Sequence, residues 1–164
     1  MKAIYYNFFL LLLTFVISSC GYQLRGAAAL EGLENINIIS NGYTNVSRLL
    51  QERLGSAKES SQNADVYPVI RLIRVSSQKR QLSVNSLGRA DEYEISKSLN
   101  YELALSETLK FSDTLTARAS YDFNELQMQG TKEQELIANN VIDRILVRKL
   151  LQRLKSTIKS STTN

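Results

Sequence analysis

The sequence predicts an α+β domain in which two helices pack on one face of a four-stranded mixed or antiparallel sheet with a long central hairpin. Three features of the 164-residue chain lead to this prediction. A short apolar strand and an amphipathic helix come first, a long alternating stretch fills the middle, and a long amphipathic helix comes last. We expect one domain over residues 35–156, with a flexible tail at residues 157–164.

The first 19 residues differ in character from the rest of the chain. Lys2 is their only charge, and residues 8–17 are apolar except for Thr14. A positive start followed by a short apolar run is typical of a signal peptide and is too short to cross a bilayer comfortably. A buried core helix is the alternative, which the position at the start of the sequence disfavours. We therefore expect residues 1–19 to be a signal peptide.

The single cysteine, Cys20, follows this segment directly. Ile17-Ser18-Ser19-Cys20 is similar to a bacterial lipobox, whose cysteine carries a diacylglyceryl thioether and an N-acyl chain. One cysteine in an exported protein cannot form an internal disulfide, and lipid attachment gives it another role. Several acyl chains anchor a protein stably to a membrane. Gly21, in place of Asp, favours the outer membrane, and residues 20–34 read as a tether.

Charge and composition limit the kinds of function open to the 145 residues that follow the signal peptide, which carry a net charge of +3. This excess is too small to predict nucleic-acid binding, but a local basic patch would suit an anionic ligand. The chain has no histidine, no phosphate-binding glycine loop and no nucleophile motif. We expect no catalytic residue, metal or cofactor. An envelope hydrolase is a remote alternative that would depend on a carboxylate such as Glu94 or Glu135.

The elements follow in order from residue 36. Residues 36–39 form a short strand that ends at the turn Ser40-Asn41-Gly42. Thr44 or Asn45 caps the helix that follows, since both residue types accept hydrogen bonds from the first turn. The apolar stripe of this helix consists of Val46, Leu49, Leu50 and Leu54.

An extended run and two long alternating strands form the centre of the sequence. Residues 66–84 make an extended run that Pro68 interrupts near its start, and Gly88 is the expected left-handed residue of the next turn. Apolar residues then occupy odd positions over 93–105 and over 111–123, apart from a lysine and an aspartate. Thirteen residues at about 3.3 Å each give strands of roughly 43 Å, with one covered and one polar face.

Basic residues lie along residues 66–84 and in the turn after them. If the strand is regular, Arg71 and Lys79 share one face and Arg74 and Arg80 share the other. One interpretation is an edge strand that uses cations against edge-to-edge pairing. The other is a clamp for phosphates or carboxylates, which arginine forks bind well. Position alone leaves both open.

The last helix has the form of a capping box, with Thr131 as its cap and Gln134 reaching back. Its apolar residues form two stripes on opposite sides. The first consists of Ile137, Ala138, Val141, Ile142, Ile145 and Leu146, and the second of Val147, Leu150, Leu151, Leu154 and Ile158. Either the other helix covers the second stripe or it meets a partner protein, which makes Leu150 and Leu154 candidate partner contacts. From Ser156 onward we expect fraying.

Four motifs in order give the chain a family resemblance. CGYQLRG at residues 20–26 and GRADEYE at 88–94 resemble the mature start and the strand-leading turn of LptE, the LPS-assembly lipoprotein family. RASYD at 118–122 and KEQE at 132–135 also match in place and order. The resemblance covers essentially all of the chain after the signal peptide.

This resemblance implies a fold and a function. LptE proteins are similar to the two-helix, four-strand domain above, sit as a plug inside the LptD β-barrel, assist its assembly and bind lipopolysaccharide. The chain would then be anchored in the outer membrane of a Gram-negative bacterium, on the periplasmic side or in the barrel lumen. Candidate lipopolysaccharide contacts are Arg89, Lys132, Arg74, Lys79 and Arg80. Candidate barrel contacts are Ser98, Thr116 and Gly88. A free-standing lipid-anchored carrier of anionic lipid is the alternative.

Overall fold

The computed structural model describes residues 33, 36–40, 44–54 and 67–162, with only the backbone of residue 162. The elements are β1 (Asn37–Ser40), α1 (Asn45–Leu54), β2 (Val69–Val84), β3 (Ala90–Ala104), β4 (Lys110–Asp122), a 3₁₀ turn (Glu125–Gln127) and α2 (Met128–Thr162). These four strands and two helices confirm the predicted α+β class. The expected signal peptide and Cys20 lie outside the described residues, as does nearly all of the tether.

The four strands form one mixed sheet in the order β1-β2-β3-β4. β1 runs parallel to β2, and both following pairs are antiparallel. Because β1 pairs only with residues 69–72, the rest of β2 is an edge of a three-stranded hairpin sheet. At the β2–β3 turn Gly88 has a φ of +74°, which confirms the predicted left-handed residue.

β2 contains a bulge that the sequence analysis missed. Leu72 pairs with Tyr101 and Arg74 pairs with Asn100, which leaves Ile73 without a partner in β3. The extra residue reverses the alternation beyond it. Arg71 therefore shares a face with Arg74 and Arg80, whereas Lys79 lies on the opposite, helix-covered face. The face assignment predicted for a regular strand was wrong for this reason.

The start of α1 follows the prediction, with Thr44 as the cap rather than Asn45. The Ser47 backbone N–H donates to Thr44 Oγ1 at 3.2 Å, and the Thr44 backbone N–H donates to Ser47 Oγ at 3.1 Å. These reciprocal bonds satisfy donors that a helix start leaves open. The apolar stripe of α1 faces the core, where Val46 and Leu50 are fully buried.

α2 begins at Met128, four residues before the first helical residue that a Thr131 cap predicts, and also ends later. Thr131 lies inside the helix. Its hydroxyl oxygen accepts a hydrogen bond from the Asn124 backbone N–H at 3.1 Å, and its hydroxyl group donates to the Asn124 carbonyl oxygen at 3.2 Å. Asn124 instead caps the preceding 3₁₀ turn through the Leu126 N–H. At the other end the helix continues to residue 162 instead of fraying from Ser156.

The second apolar stripe of α2 is internal. Leu150 and Leu154 are fully buried in the common core, and α2 packs against α1 as well as against β3 and β4. Neither side chain can therefore reach a partner in the folded chain, which excludes both as partner contacts. The first stripe is only partly covered, because Ile137 is 55 % and Val141 41 % exposed. Within the described residues, no helix has the length and hydropathy needed to span a membrane.

Candidate functional site

The uncovered side of the three-stranded sheet is a continuous polar surface, which we call the open face. Residues that pair across strands share a face of the sheet, so the registers define its members. From β2 they are Arg71, Arg74, Ser76, Gln78 and Arg80; from β3, Glu94, Ser96, Ser98, Asn100 and Glu102; from β4, Ser112, Thr114, Thr116, Arg118, Ser120 and Asp122. None of these side chains is apolar, as the sequence predicted for one face, but the face ends in two apolar pairs, Val69 with Ala104 and Val84 with Ala90.

Charged side chains of the open face form ion pairs across the strands. Arg80 Nε donates to Glu94 Oε1 at 2.7 Å, and Arg71 Nη1 donates to Glu102 Oε1 at 2.8 Å. The hydrogen bond from Arg80 keeps the pKa of Glu94 below its usual range. Because 65 % of the Arg80 side chain remains exposed, its guanidinium still has donors for an external anion.

Ser98 and Thr116 lie opposite each other near the middle of the open face. Their hydroxyl oxygens are 3.3 Å apart, within hydrogen-bond distance, and both side chains are half-buried. Thr114 Oγ1 donates to Asn100 Oδ1 at 3.1 Å on the next pair. This row of short hydroxyl and amide groups gives a flat, hydrogen-bonding surface.

One ion pair joins the β2–β3 turn to the 3₁₀ turn that precedes α2. Arg89 Nη1 donates to Glu125 Oε2 at 3.0 Å, and the Arg89 side chain is 58 % exposed. Asn85 holds the turn, because its Oδ1 accepts from the backbone N–H groups of Leu87 and Arg89. Leu87 is 76 % exposed, so the tip presents a cation beside an apolar side chain.

On the helix-covered side, Lys79 contacts an acidic and aromatic cluster. Its Nζ donates to Glu135 Oε2 at 2.9 Å and lies 4.7 Å from the centre of the Tyr93 ring. Tyr121 Oη also donates to Glu135 Oε2, at 3.0 Å. Burial lowers the pKa of Lys79, but its contacts with Tyr121 and Glu135 more than offset this, so the pKa is raised. The hydrogen bond from Lys79 in turn lowers the pKa of Glu135.

The five candidate lipopolysaccharide contacts therefore occupy separate places. Arg74 and Arg80 lie on the open face, and Lys79 lies on the opposite face. Arg89 is at the tip of the hairpin, and Lys132 is exposed on the first turns of α2. Lys79 and Arg89 share one feature, since each binds an acidic residue that follows β4: Glu125 in the 3₁₀ turn for Arg89, and Glu135 near the start of α2 for Lys79. The two ion pairs tie the far end of the hairpin to the 3₁₀ turn and to the start of α2.

Sequence reasoning missed a buried polar junction beneath the sheet. Lys97 Nζ donates to Asp143 Oδ1 at 2.7 Å, and the two side chains are only 13 % and 3 % exposed. Asn45 Nδ2 donates to Asp143 Oδ2 at 3.3 Å, which brings α1 into the same contact. The exceptional lysine in the alternating pattern was the available signal, but its partner could not be identified from the sequence.

The two carboxylates considered for hydrolysis, Glu94 and Glu135, are ion-paired, and both have lowered pKa values. A general acid needs the opposite shift. Among these residues, no group of three His, Cys, Asp or Glu side chains could hold a metal ion. Two open hollows of about 280 and 460 Å³ near the end of α2 are lined mainly by polar residues, including Arg153 and Ser156.

Several solved structures share this fold. Rare lipoprotein B from Shewanella oneidensis is 23 % identical with a TM-score of 0.67, covering 79 % of this chain and 98 % of that one. Lipoprotein B from Nitrosomonas europaea is 17 % identical with a TM-score of 0.67, covering 85 % and 93 %. A minor lipoprotein from Acinetobacter baumannii is 16 % identical with a TM-score of 0.59, covering 76 % and 92 %. None of the curated proteins matches the chain.

A match to a family sequence model agrees with these structures and also identifies the family. The sequence model described as LptE: Lipopolysaccharide-assembly matches residues 32–154, which include every strand and most of α2. The three solved structures show the fold alone, whereas this match covers most of the sequence. The chain belongs to the LptE family of lipopolysaccharide-assembly proteins.

Proposed function

We propose that this chain is an outer-membrane lipoprotein that sits inside the LptD β-barrel, assists its assembly and helps deliver lipopolysaccharide to the cell surface. Cys20 is the anchor in this proposal, with lipid attached at its thiol and its amino group. The observation that carries the proposal is the open face, which remains uncovered by the helices and has only polar side chains from the Arg71–Glu102 pair to the Arg80–Glu94 pair. Membership of the lipopolysaccharide-assembly family supplies the context.

A wet barrel interior is a suitable environment for such a surface. The lumen side of a membrane β-barrel is polar, because outward and inward residues alternate along its strands. A sheet face of serine, threonine, asparagine and paired charges can exchange hydrogen bonds with that lining at little desolvation cost. Ser98 and Thr116 stand near the middle of this face, and Gly88 marks the hairpin tip. These positions are our proposed barrel contacts.

The exposed cations are the proposed contacts for lipopolysaccharide. Arg80 and Arg89 keep 65 % and 58 % of their side chains exposed, so phosphates can reach them without breaking the fold. Arg74 and Lys132 are also exposed, whereas Lys79 is held between Glu135 and two rings. Arginine and lysine bind phosphate by charge-assisted hydrogen bonds.

Photo-crosslinking in cells tests the barrel contact. Photoreactive residues at Ser98, Thr116 and Arg89 should each crosslink to the LptD barrel, whereas one at Glu52, on the exposed side of α1, should crosslink less. Absence of a barrel crosslink at all three positions would overturn the proposal. Purification from detergent-solubilised outer membranes gives a second readout. A one-to-one complex with the barrel supports it, and a monomer that retains lipid supports a free-standing carrier.

Lipopolysaccharide binding has a matched control within the chain. Arg89→Ala should reduce the lipopolysaccharide retained by the purified protein, and the remaining binding should depend less on salt. Arg153 is equally exposed at 58 % and also forms one exposed ion pair, with Asp113. Equal retention by Arg89→Ala and Arg153→Ala would remove Arg89 from the proposed site.

A further inference from the structure

We propose that the free edge of β4, at residues 118–122, pairs antiparallel with the same segment of a second copy of this chain, with the two-fold axis at Ser120. The pairing concerns the chain when it is free of a barrel and does not depend on the proposed function. It would join two four-stranded sheets into one continuous sheet with an isologous contact.

The direction of the backbone groups along β4 follows from bonds at its two ends. The Phe123 N–H donates to the Asp91 C=O at 2.8 Å, and the Leu105 N–H donates to the Leu109 C=O at 2.9 Å. The register between β3 and β4 has no shift between these bonds. Odd-numbered residues of β4 therefore bond to β3, and even-numbered residues point their N–H and C=O groups away from the sheet.

The first half of this edge is already occupied. Asp113 Oδ1 accepts from the Thr114 backbone N–H at 2.8 Å, and Lys149 Nζ donates to the Thr116 C=O at 2.7 Å. Arg153 Nε donates to Asp113 Oδ2 at 2.9 Å and further covers this end. Among the residues that the structure describes, none hydrogen-bonds to the outward groups of Arg118 or Ser120. The second half of β4 is therefore an open strand edge.

The other edge of the hairpin sheet is better protected against pairing. β2 has register irregularities near Ile73 and Leu82, and three cations along its exposed part: Arg74, Lys79 and Arg80. Bulges and positive side chains are the usual devices that keep edge strands from associating. β4 has no irregularity and only Arg118 in its open half. The contrast selects β4 as the edge available to another strand.

Charge selects the partner and the register. With the axis at Ser120, Arg118 of each copy lies opposite Asp122 of the other, so the contact contains two complementary charge pairs. An axis at Arg118 or at Asp122 would instead place like charges opposite each other. An axis at Thr116 is excluded because the Lys149 ammonium already occupies the outward C=O of Thr116. Among axes on the outward-pointing residues, only the axis at Ser120 leaves the edge open and places opposite charges face to face.

Two exposed apolar side chains of α2 form a second feature. Ile137 and Val141 are one turn apart on α2 and are 55 % and 41 % exposed. On the helical wheel they point away from Asp143, whose side chain contacts α1 through Asn45. Ile137 and Val141 therefore lie on a flank of α2 that α1 leaves uncovered. In the proposed dimer the two α2 helices lie on the same face of the joined sheet.

Cysteine crosslinking of the full chain in detergent tests the register. In a hydrogen-bonded antiparallel pair, Cα atoms are about 5.5 Å apart, within the range of a disulfide. Ser120→Cys should therefore give at least about fivefold more disulfide dimer than Ser112→Cys, since only position 120 lies within disulfide range of its copy. Ser112 is the matched control, because it is exposed on the same face of the same strand. Equal yields from the two variants would overturn the proposal.

Two further variants separate pairing from folding. Ser120→Pro removes an N–H that points away from β3, so it should abolish the dimer in sedimentation while the circular dichroism spectrum stays unchanged. Arg118→Asp and Asp122→Arg should each weaken the dimer at least about tenfold by placing like charges opposite each other, and the double swap should restore it. A dimer that persists in Ser120→Pro, or charge variants without effect, would refute edge pairing.

Discussion

The buried ion pair between Lys97 and Asp143 gives the sharpest test of how this fold is held together. Lys97→Met keeps the length and apolar stem of the side chain but removes its charge. Asp143 would then remain 97 % buried as a side chain, with the Asn45 amide as its remaining hydrogen-bond donor in the junction. We expect a large loss of stability, because an unpaired carboxylate inside the core loses its hydration without compensation.

The size of the loss follows from the burial. Breaking a buried ion pair by removing one partner costs about 3–5 kcal/mol, and the Asn45 bond that remains places Lys97→Met near 3 kcal/mol. Replacing both groups by apolar side chains, as in Lys97→Met with Asp143→Leu, should recover most of this loss, since no charge is then left unpaired. The double variant should therefore be more stable than Lys97→Met alone.

Urea unfolding followed by circular dichroism measures these differences. Arg153→Met is the matched control, because its partner Asp113 lies on β4 and the two side chains are 58 % and 38 % exposed. That exposed pair should contribute less than about 1 kcal/mol. If Lys97→Met lowers the free energy of unfolding no more than Arg153→Met does, the junction does not stabilise the fold in the way argued.

Three smaller effects should be measurable by the same method. The pKa of Glu135 is lowered in the folded chain, so its pairing with Lys79 stabilises the fold fully above the unfolded pKa of about 4.3. The difference in free energy of unfolding between the wild type and Lys79→Met should therefore disappear as the pH falls through the pKa of Glu135 in the folded chain. A constant difference down to pH 2 would contradict this. Gly88→Ala should cost about 1–2 kcal/mol, because a φ of +74° strains an L-residue, and Gly88→Asn should cost less. Thr44→Ala should cost about 1 kcal/mol by removing the cap, and no change in the urea midpoint would show that the bond to Ser47 is not needed.

The alternating pattern could predict the hairpin because each residue type reflects its own face. Lys97 and Asp113 interrupt that pattern on the covered side, and both turn out to bind residues of α2. The partner of Lys97 is 46 residues away in sequence, and that of Asp113 is 40 residues away. Periodicity shows that such residues are exceptional. It cannot identify a partner on another element, because that choice depends on how α2 crosses the sheet.

The start of α2 shows a second limit of local patterns. Thr131 and Gln134 have the spacing of a capping box, but the chain enters the helix earlier, through a 3₁₀ turn capped by Asn124. The Thr131 hydroxyl bonds the backbone of Asn124 instead. The motif indicated a real hydrogen-bonding residue in the right region. Its geometry depended on the preceding turn, which starts seven residues earlier at the cap Asn124.

The bulge at Ile73 has the greatest consequence for the open face. Before it, Ile70 and Leu72 face the core from even positions; after it, Val75 faces the core from an odd position. A regular strand could bury only one of these sets. The unpaired residue lets both pack inward, and it thereby turns Arg74 outward beside Arg71. One residue without a partner thus lets Val75 pack inward after Ile70 and Leu72, and keeps the face proposed to meet the barrel polar from Arg71 to Arg80.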